Sequence, residues 1–137
     1  MRRSEDGSAV LEMVILAPVL LLILALAVAG ARVELAHQQA DSVAAQAARA
    51  ASDARDPASA VAAAQATATA AAPGAGLSCS PLSVSVDVTN FRAGGSVAVT
   101  VTCTSQLGNL MPAGLVGARD ISGSASSPID IYRAASG

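Results

Sequence analysis

GSAVLEMVILAPVLLLILALAVAGAR, residues 7–32, is the stretch on which the reading of this chain turns. From Met13 to Ala31 it runs 19 residues without a charge, rich in Leu, Val, Ile and Ala. At about 1.5 Å per residue, a helix of that length comes close to the roughly 30 Å of bilayer hydrocarbon. The segment is therefore predicted to cross a membrane once. Arg2 and Arg3 precede it; Glu5 and Asp6 cancel their net charge, but orientation follows basic residues and gives little weight to acids. The N-terminus is expected on the cytoplasmic side and everything after about Arg32 outside, although Arg32 itself stands on the far flank. Pro18 lies inside the run, where its missing N–H and its ring loosen the bond toward the Val14 carbonyl; a slight kink is expected there, not a break.

The rest of the composition narrows the possibilities. With 137 residues, 53% of them apolar but only one Phe, one Tyr and no Trp, the chain has room for one modest domain and an appendage. Its core must be built from small aliphatics. The eight basic residues are all Arg and stand against ten acids, so the formal charge of −2 offers no footprint for nucleic acid. Cys79 and Cys103 both fall beyond the span, in a compartment where disulfides persist, and two cysteines allow a single intramolecular bridge. There is no CxxC or Cys/His zinc pattern.

Working outward, RVELAHQQADSVAAQAARAASDARD is dense in strong helix formers, with no Gly or Pro until Pro57, so the membrane helix is predicted to continue into water. Val33, Ala36, Ala40, Val43, Ala47 and Ala50 recur at spacings of three and four, giving one smooth, small face. Two readings stay open: this face lies on the chain's own globular head, or it pairs with a partner helix as a coiled coil. Ala buries little area and only about three heptads are covered, which favours the first. PASAVAAAQATATAAAPGAGLS then offers a short second helix starting at Pro57, with Asp56 as its N-cap and PGAG as its end.

From Leu82 the period changes to two. LSVSVDVTNF alternates Leu82, Val84, Val86 and Val88 with polar residues, and SVAVTVTCT does the same with Val97, Val99, Val101 and Cys103. A β-hairpin is predicted, turning at Arg92 to Gly95. Antiparallel pairing brings Cys103 opposite the region just before Leu82, so a Cys79–Cys103 disulfide could staple the open end. LGNLMPAGLVGA is too broken by Gly and Pro for a helix of any length, and Ile121, Ile129 and Ile131 suggest one or two further strand segments. The fold class expected is α+β: a long N-terminal transmembrane helix continuing into an extracytoplasmic helix, then a small antiparallel sheet packed on the preceding helix. The boundaries read as a leader over 1–7, a span over 8–31, a helical extension over 32–56, an Ala-rich helix and linker over 57–78, and a β domain over 79–137.

Glu12 is the residue that needs explaining. A carboxylate at the edge of a span has a plain account, since it can reach toward the headgroups. Its setting is less plain: Arg2 and Arg3, then Gly7, then four residues, then Glu12, then the apolar run. That arrangement resembles the class III signal of type IV pilins, which a prepilin peptidase cuts after the glycine. Cleavage between Gly7 and Ser8 would make Glu12 the fifth residue, and a new α-amino group at Ser8 and the Glu12 carboxylate are opposite charges in a low-dielectric setting. Pairing them within or between subunits offsets a large desolvation penalty.

A narrower resemblance covers more of the chain. GSAVLEMVILAPVLLLILALAVAGARVELAHQQADSVAAQAARAAS is similar to the N-terminal region of TadE-like pilus assembly proteins, the minor pseudopilins of the tight adherence (Flp-type) pilus system. The features shared are the small residues at the start, the acid at Glu12, the proline at Pro18, the Leu-rich run and the Ala/Arg-rich end of the helix. Met13 stands where an aromatic is common, and Ala31-Arg32 where an acid-aromatic pair is frequent. The resemblance implies a pilin-like, non-enzymatic part of a pilus or secretion machine, held once across the bacterial cytoplasmic membrane with its N-terminus inside. It implies as partners a prepilin peptidase, other pseudopilins or pilus subunits and the pilus membrane platform, with no cofactor and no small-molecule substrate.

Other classes have less in their favour. His37 is the only histidine, beside Gln38 and Gln39 on a predicted helix, and is expected to be a solvated side chain with no nucleophile elbow or phosphate loop to serve. Asp87, Asp120 and Asp130 do not follow a calcium-loop spacing and are expected to face water. A secreted protein with a cleavable signal peptide is the main alternative, with Ala27-Val28-Ala29 as the cleavage region; Glu12 ahead of the apolar core speaks against it. A signal-anchored cell-surface binding module is the other, with Phe91 and Tyr132 as its only aromatic anchors.

Overall fold

The structure is a computed structural model that describes the chain over residues 5–106 and 118–132, with side chains over 10–104 and 120–132. Its elements, in order, are α1 (Glu5–Ser52), α2 (Pro57–Gly74), β1 (Leu82–Asp87), β2 (Ser96–Gln106) and β3 (Ala118–Pro128). A long N-terminal apolar helix, a second helix and a three-stranded antiparallel sheet make the fold α+β. The chain divides into two compact units, residues 1–35 and 36–137. Arg2 and Arg3, and all but the last residue of LGNLMPAGLVGA, lie outside the described residues.

The sheet runs in the order β1-β2-β3, with both pairs antiparallel. Its register sets Leu82, Cys103 and Ile121 in one row, Val84, Val101 and Gly123 in the next, and Val86, Val99 and Ala125 in a third. These rows form the apolar face. The alternate rows, Ser83-Thr102-Ser122 and Ser85-Thr100-Ser124, form an opposite face of hydroxyls. Because side chains alternate along a strand, the Val/Ser alternation read in the sequence translates directly into this two-faced sheet.

The core is made almost entirely of Ala and Val. Ala40, Val43, Ala44, Ala47, Ala48 and Ala51 of α1 join Ala60, Ala64, Ala68 and Ala72 of α2 and Val97, Val99, Val101 and Cys103 of β2 in one buried cluster. The α2 residues recur every four positions, one stripe of the helix. Of the two readings open for the small face of α1, burial in the chain's own head is the one found. Each fully buried valine contributes roughly 1.5–3 kcal/mol relative to exposure, so β2 and Val43 dominate the hydrophobic gain while the alanines mainly allow close approach.

Local signals set the ends of α2. Asp56 caps it: Oδ1 accepts the Ser59 N–H at 2.9 Å, and the Ser59 hydroxyl donates to Oδ2 at 2.7 Å, with Pro57 in the first turn. At the other end Leu77 N–H donates to the Ala72 carbonyl and Gly76 N–H to the Pro73 carbonyl. This is the Schellman pattern, which needs a left-handed residue, and Gly76 has φ +78°.

Two expectations about the strands are corrected. The hairpin connection is not the four residues Arg92 to Gly95 but the eight from Val88 to Gly95. Asp87 ends β1 early, because its Oδ1 accepts both the N–H and the hydroxyl of Thr89 at 2.9 and 2.7 Å and bends the chain. Ile129 and Ile131 are not strand residues: β3 stops at Pro128, Ile129 is buried beyond it with its N–H on the Gly95 carbonyl, and Ile131 is exposed in a turn. The third strand is instead ARDISGSASSP, most of it small polar residues.

Its neighbour explains that composition. A Cβ placed on Gly123 would sit against the Ala40 carbonyl carbon and the Asp41 nitrogen, so β3 approaches α1 backbone to backbone and only glycine fits. The same helix covers the strand's outer edge. The Asp41 carboxylate accepts the Ser124 N–H at 3.0 Å, His37 Nδ1 lies 3.2 Å from the Ser122 carbonyl oxygen, and the Ser127 hydroxyl donates to that of Ser52 at 3.1 Å. His37 and Asp41 are one helical turn apart, as Ser122 and Ser124 are one strand repeat apart, so the two side chains each meet one outward backbone group of this edge. His37 is therefore half-buried and engaged, where a solvated side chain was expected.

Candidate functional site

The N-terminal unit carries the residues singled out for function. From Val10 to Arg32 every residue of α1 is exposed, with Leu21 66% and Met13 73% accessible. A continuous apolar helix that nothing among the described residues covers needs a medium that accepts apolar surface, and helix geometry pairs its backbone groups internally apart from the Val14 carbonyl opposite Pro18. The apolar part of α1 is thus a candidate single-pass membrane anchor.

Gly7, Ser8, Glu12 and Pro18 all lie on α1. Ser8 and Glu12 stand one helical turn apart and so share a face of the helix, about 6 Å along its axis. Glu12 is exposed, and among the described residues no side chain bonds to it. Pro18 is accommodated within the continuous helix.

The external chemistry lies in the second unit and is structural in character. Cys79 and Cys103 are joined by a disulfide, with Cα atoms 5.0 Å apart. It ties the segment after α2 to the central strand, next to the Leu82–Cys103 pair, and Ser80 N–H and the Pro81 carbonyl extend that ladder onto Thr104. The aspartates face water but are locally occupied: Asp87 in its turn, Asp120 accepting from the Thr104 hydroxyl at 2.8 Å, Asp130 accepting the Tyr132 N–H at 2.9 Å. The hydrogen bonds from Ser59 hold the Asp56 carboxyl below its ordinary pKa, and those from Thr89 do the same for Asp87. Among the described residues no three His, Cys, Asp or Glu side chains gather where they could hold a metal ion.

The contact of His37 and Asp41 with β3 was not foreseen from the sequence. The signal available was their spacing of four on the helix, but nothing in a sequence says which strand edge such a pair will meet. Compared with known proteins, residues 7–49 match the family model described as TadE-like protein. No curated protein and no solved structure matches the chain.

Proposed function

We propose, from the match of residues 7–49 to the TadE-like family model, that the chain is a Tad pilus-associated protein of that kind and, more narrowly, a non-enzymatic minor pseudopilin. In this reading α1 anchors it in the bacterial cytoplasmic membrane with the N-terminus inside and the unit from Ala36 onward outside. A prepilin peptidase removes residues 1–7 between Gly7 and Ser8. The new α-amino group and Glu12 then form opposite charges near the membrane edge, where burial without a partner is costly, and the carboxylate meets the amino group of its own or a neighbouring subunit. The partners are other pseudopilins or pilus subunits and the membrane platform that assembles them.

One observation carries the proposal: the matched segment joins Gly7, Ser8 and Glu12 to an apolar helix that nothing in the described chain covers. The disulfide on the far side of the span agrees with an oxidising exterior. N-terminal sequencing of the protein from membranes is the test. A chain beginning at Ser8, and at Met1 when the peptidase is absent, is the expected result; a chain beginning near Gly30 would make it an exported protein, and Met1 in both strains a plain signal anchor. Gly7→Ala is expected to block leader removal, read as slower gel migration of the membrane-bound form. Glu12→Ala is expected to leave cleavage intact and to reduce co-purification with pilus components; undiminished recovery would remove the carboxylate from the mechanism.

A further inference from the structure

The two edges of the sheet are treated differently. On β3 two of the outward backbone groups meet α1 side chains, the Ser122 carbonyl at His37 and the Ser124 N–H at Asp41. On β1 the situation can be counted from the ladder. Thr104 donates its N–H to the Pro81 carbonyl at 3.2 Å, and bonded and non-bonded residue pairs alternate along an antiparallel pair. Ser83, Ser85 and Asp87 therefore turn their backbone groups toward β2, while Leu82, Val84 and Val86 turn theirs away from it. Among the described residues no backbone group or side chain bonds to these outward groups.

Edge strands are normally guarded by a charge, a proline, a bulge or a covering element. β1, LSVSVD, has no proline, pairs with β2 without a bulge and carries a charge only at its last residue, Asp87. The helix lying against it, α2, has no charged residue in PASAVAAAQATATAAAPG, and Gln65 is the one long side chain it exposes. Leu82, Val84 and Val86 are only half-buried, so the apolar rows of the sheet continue to this edge and stop there uncovered.

We propose that the β1 edge is an interface between two copies of this chain, pairing β1 with β1 antiparallel about a twofold axis at Val84. That register uses all the outward groups: Val84 faces Val84 of the second copy and Leu82 faces Val86, all as bonded pairs. It also matches the two faces. Leu82, Val84 and Val86 extend each other's apolar rows, while Ser83 falls opposite Ser85 on the hydroxyl face, and no like charges oppose within the strands. The uncharged α2 helices lie on the same side of the joined sheet and bring no repulsion. A pair of six-residue strands is a small contact beside the ~1,200–2,000 Å² of a stable interface. The pairing therefore belongs to copies concentrated in one membrane by α1, and so depends on the anchor but not on the pilus role.

Disulfide trapping in native membranes tests it on the full chain. In the proposed register Ser83 and Ser85 of the two copies form a non-bonded pair with Cα atoms about 4.5 Å apart, within the roughly 4.4–6.8 Å that a disulfide spans. Two tagged copies, one Ser83→Cys and one Ser85→Cys, are expected to crosslink well above a pair of Thr100→Cys copies, whose cysteines lie on the same face of the central strand. Val84→Pro removes an outward N–H that the β1–β2 ladder does not use, and is expected to abolish the crosslink while mass spectrometry still finds Cys79 bonded to Cys103. No excess over the Thr100→Cys control would overturn the interface. So would a crosslink indifferent to Val84→Pro in a chain with its internal disulfide intact. Capture of a different protein at Ser83→Cys in place of the second copy would also overturn it, since the edge would then belong to another partner.

Discussion

Gly123 is the residue on which the packing of the outer unit turns. Its missing side chain lets a strand lie directly against helix backbone at Ala40 and Asp41, and backbone cannot give way as a flexible side chain can. Gly123→Ala is therefore expected to destabilise the fold by about 1–3 kcal/mol, the range of overpacked cores. The thermal midpoint of the detergent-solubilised full chain measures it, and an unchanged midpoint would mean that the helix and strand have room to part. Asp56 is a gentler case. Its folded-state pKa is lowered from 3.8 by the Ser59 hydrogen bonds, so its contribution is complete above that value and is lost as pH falls through the lower folded one. Protection of the Ser59 amide from hydrogen exchange, taken relative to the intrinsic rate at each pH, is expected to hold at neutral pH and to be lost in that acid window, and Asp56→Ala is expected to lack it at every pH. Pro57 would still start the helix in that variant, but its first turn would lack an acceptor.

At the scale of elements, α1 acts as the cover of the β3 edge, and that role rests on two side chains. Asp41→Ala leaves the Ser124 N–H without its acceptor, so exchange at that amide is expected to rise while amides in the middle of α2 keep theirs; equal acceleration in both would mean general unfolding instead. The elements differ in how plainly they were written in the sequence. β1 and β2 were legible because Val and polar residues alternate there, and α2 because Asp56-Pro57 and the glycines after it announce its ends. The eight-residue connection was harder to foresee, because Asp87 looked like one more polar residue of a strand until its carboxylate was seen folded onto Thr89. β3 was the least legible. GSASS holds no β-branched residue, and its reason for being small lies 83 positions away, at Ala40. Ile129 and Ile131 drew attention by β propensity, yet only Ile129 is buried, and it follows a proline that ends the strand. Of the candidate site, the apolar span could be read directly from its length and lack of charge, whereas Gly7, Ser8 and Glu12 were singled out by the resemblance to pilin-type signals. The His37 and Asp41 contacts could not, being tertiary.

For the molecule as a whole, an Ala/Val core gives little hydrophobic gain per residue, and the Cys79–Cys103 bond compensates by restricting the unfolded chain. With the cysteines 24 positions apart, the loop-entropy account gives about 3 kcal/mol. Reduction of the full chain is expected to lower its denaturant midpoint by a corresponding amount, with the membrane-bound fraction unchanged because α1 does not depend on the bond. A midpoint insensitive to reductant would show that the packing of α1 and α2 on the sheet suffices. The seam between α1 and β3 has one more effect, on the order in which the protein can be made. Its two sides are the first and the last of the described elements, so in a nascent polypeptide the α1 backbone at Ala40 and Asp41 stays without its strand until residues 118–128 arrive, while α2 and β2 already cover the alanine stripe. A product halted before β3 would leave the second edge of β2 unpaired and open to misassembly, which a fold whose neighbours in space are also neighbours in sequence avoids.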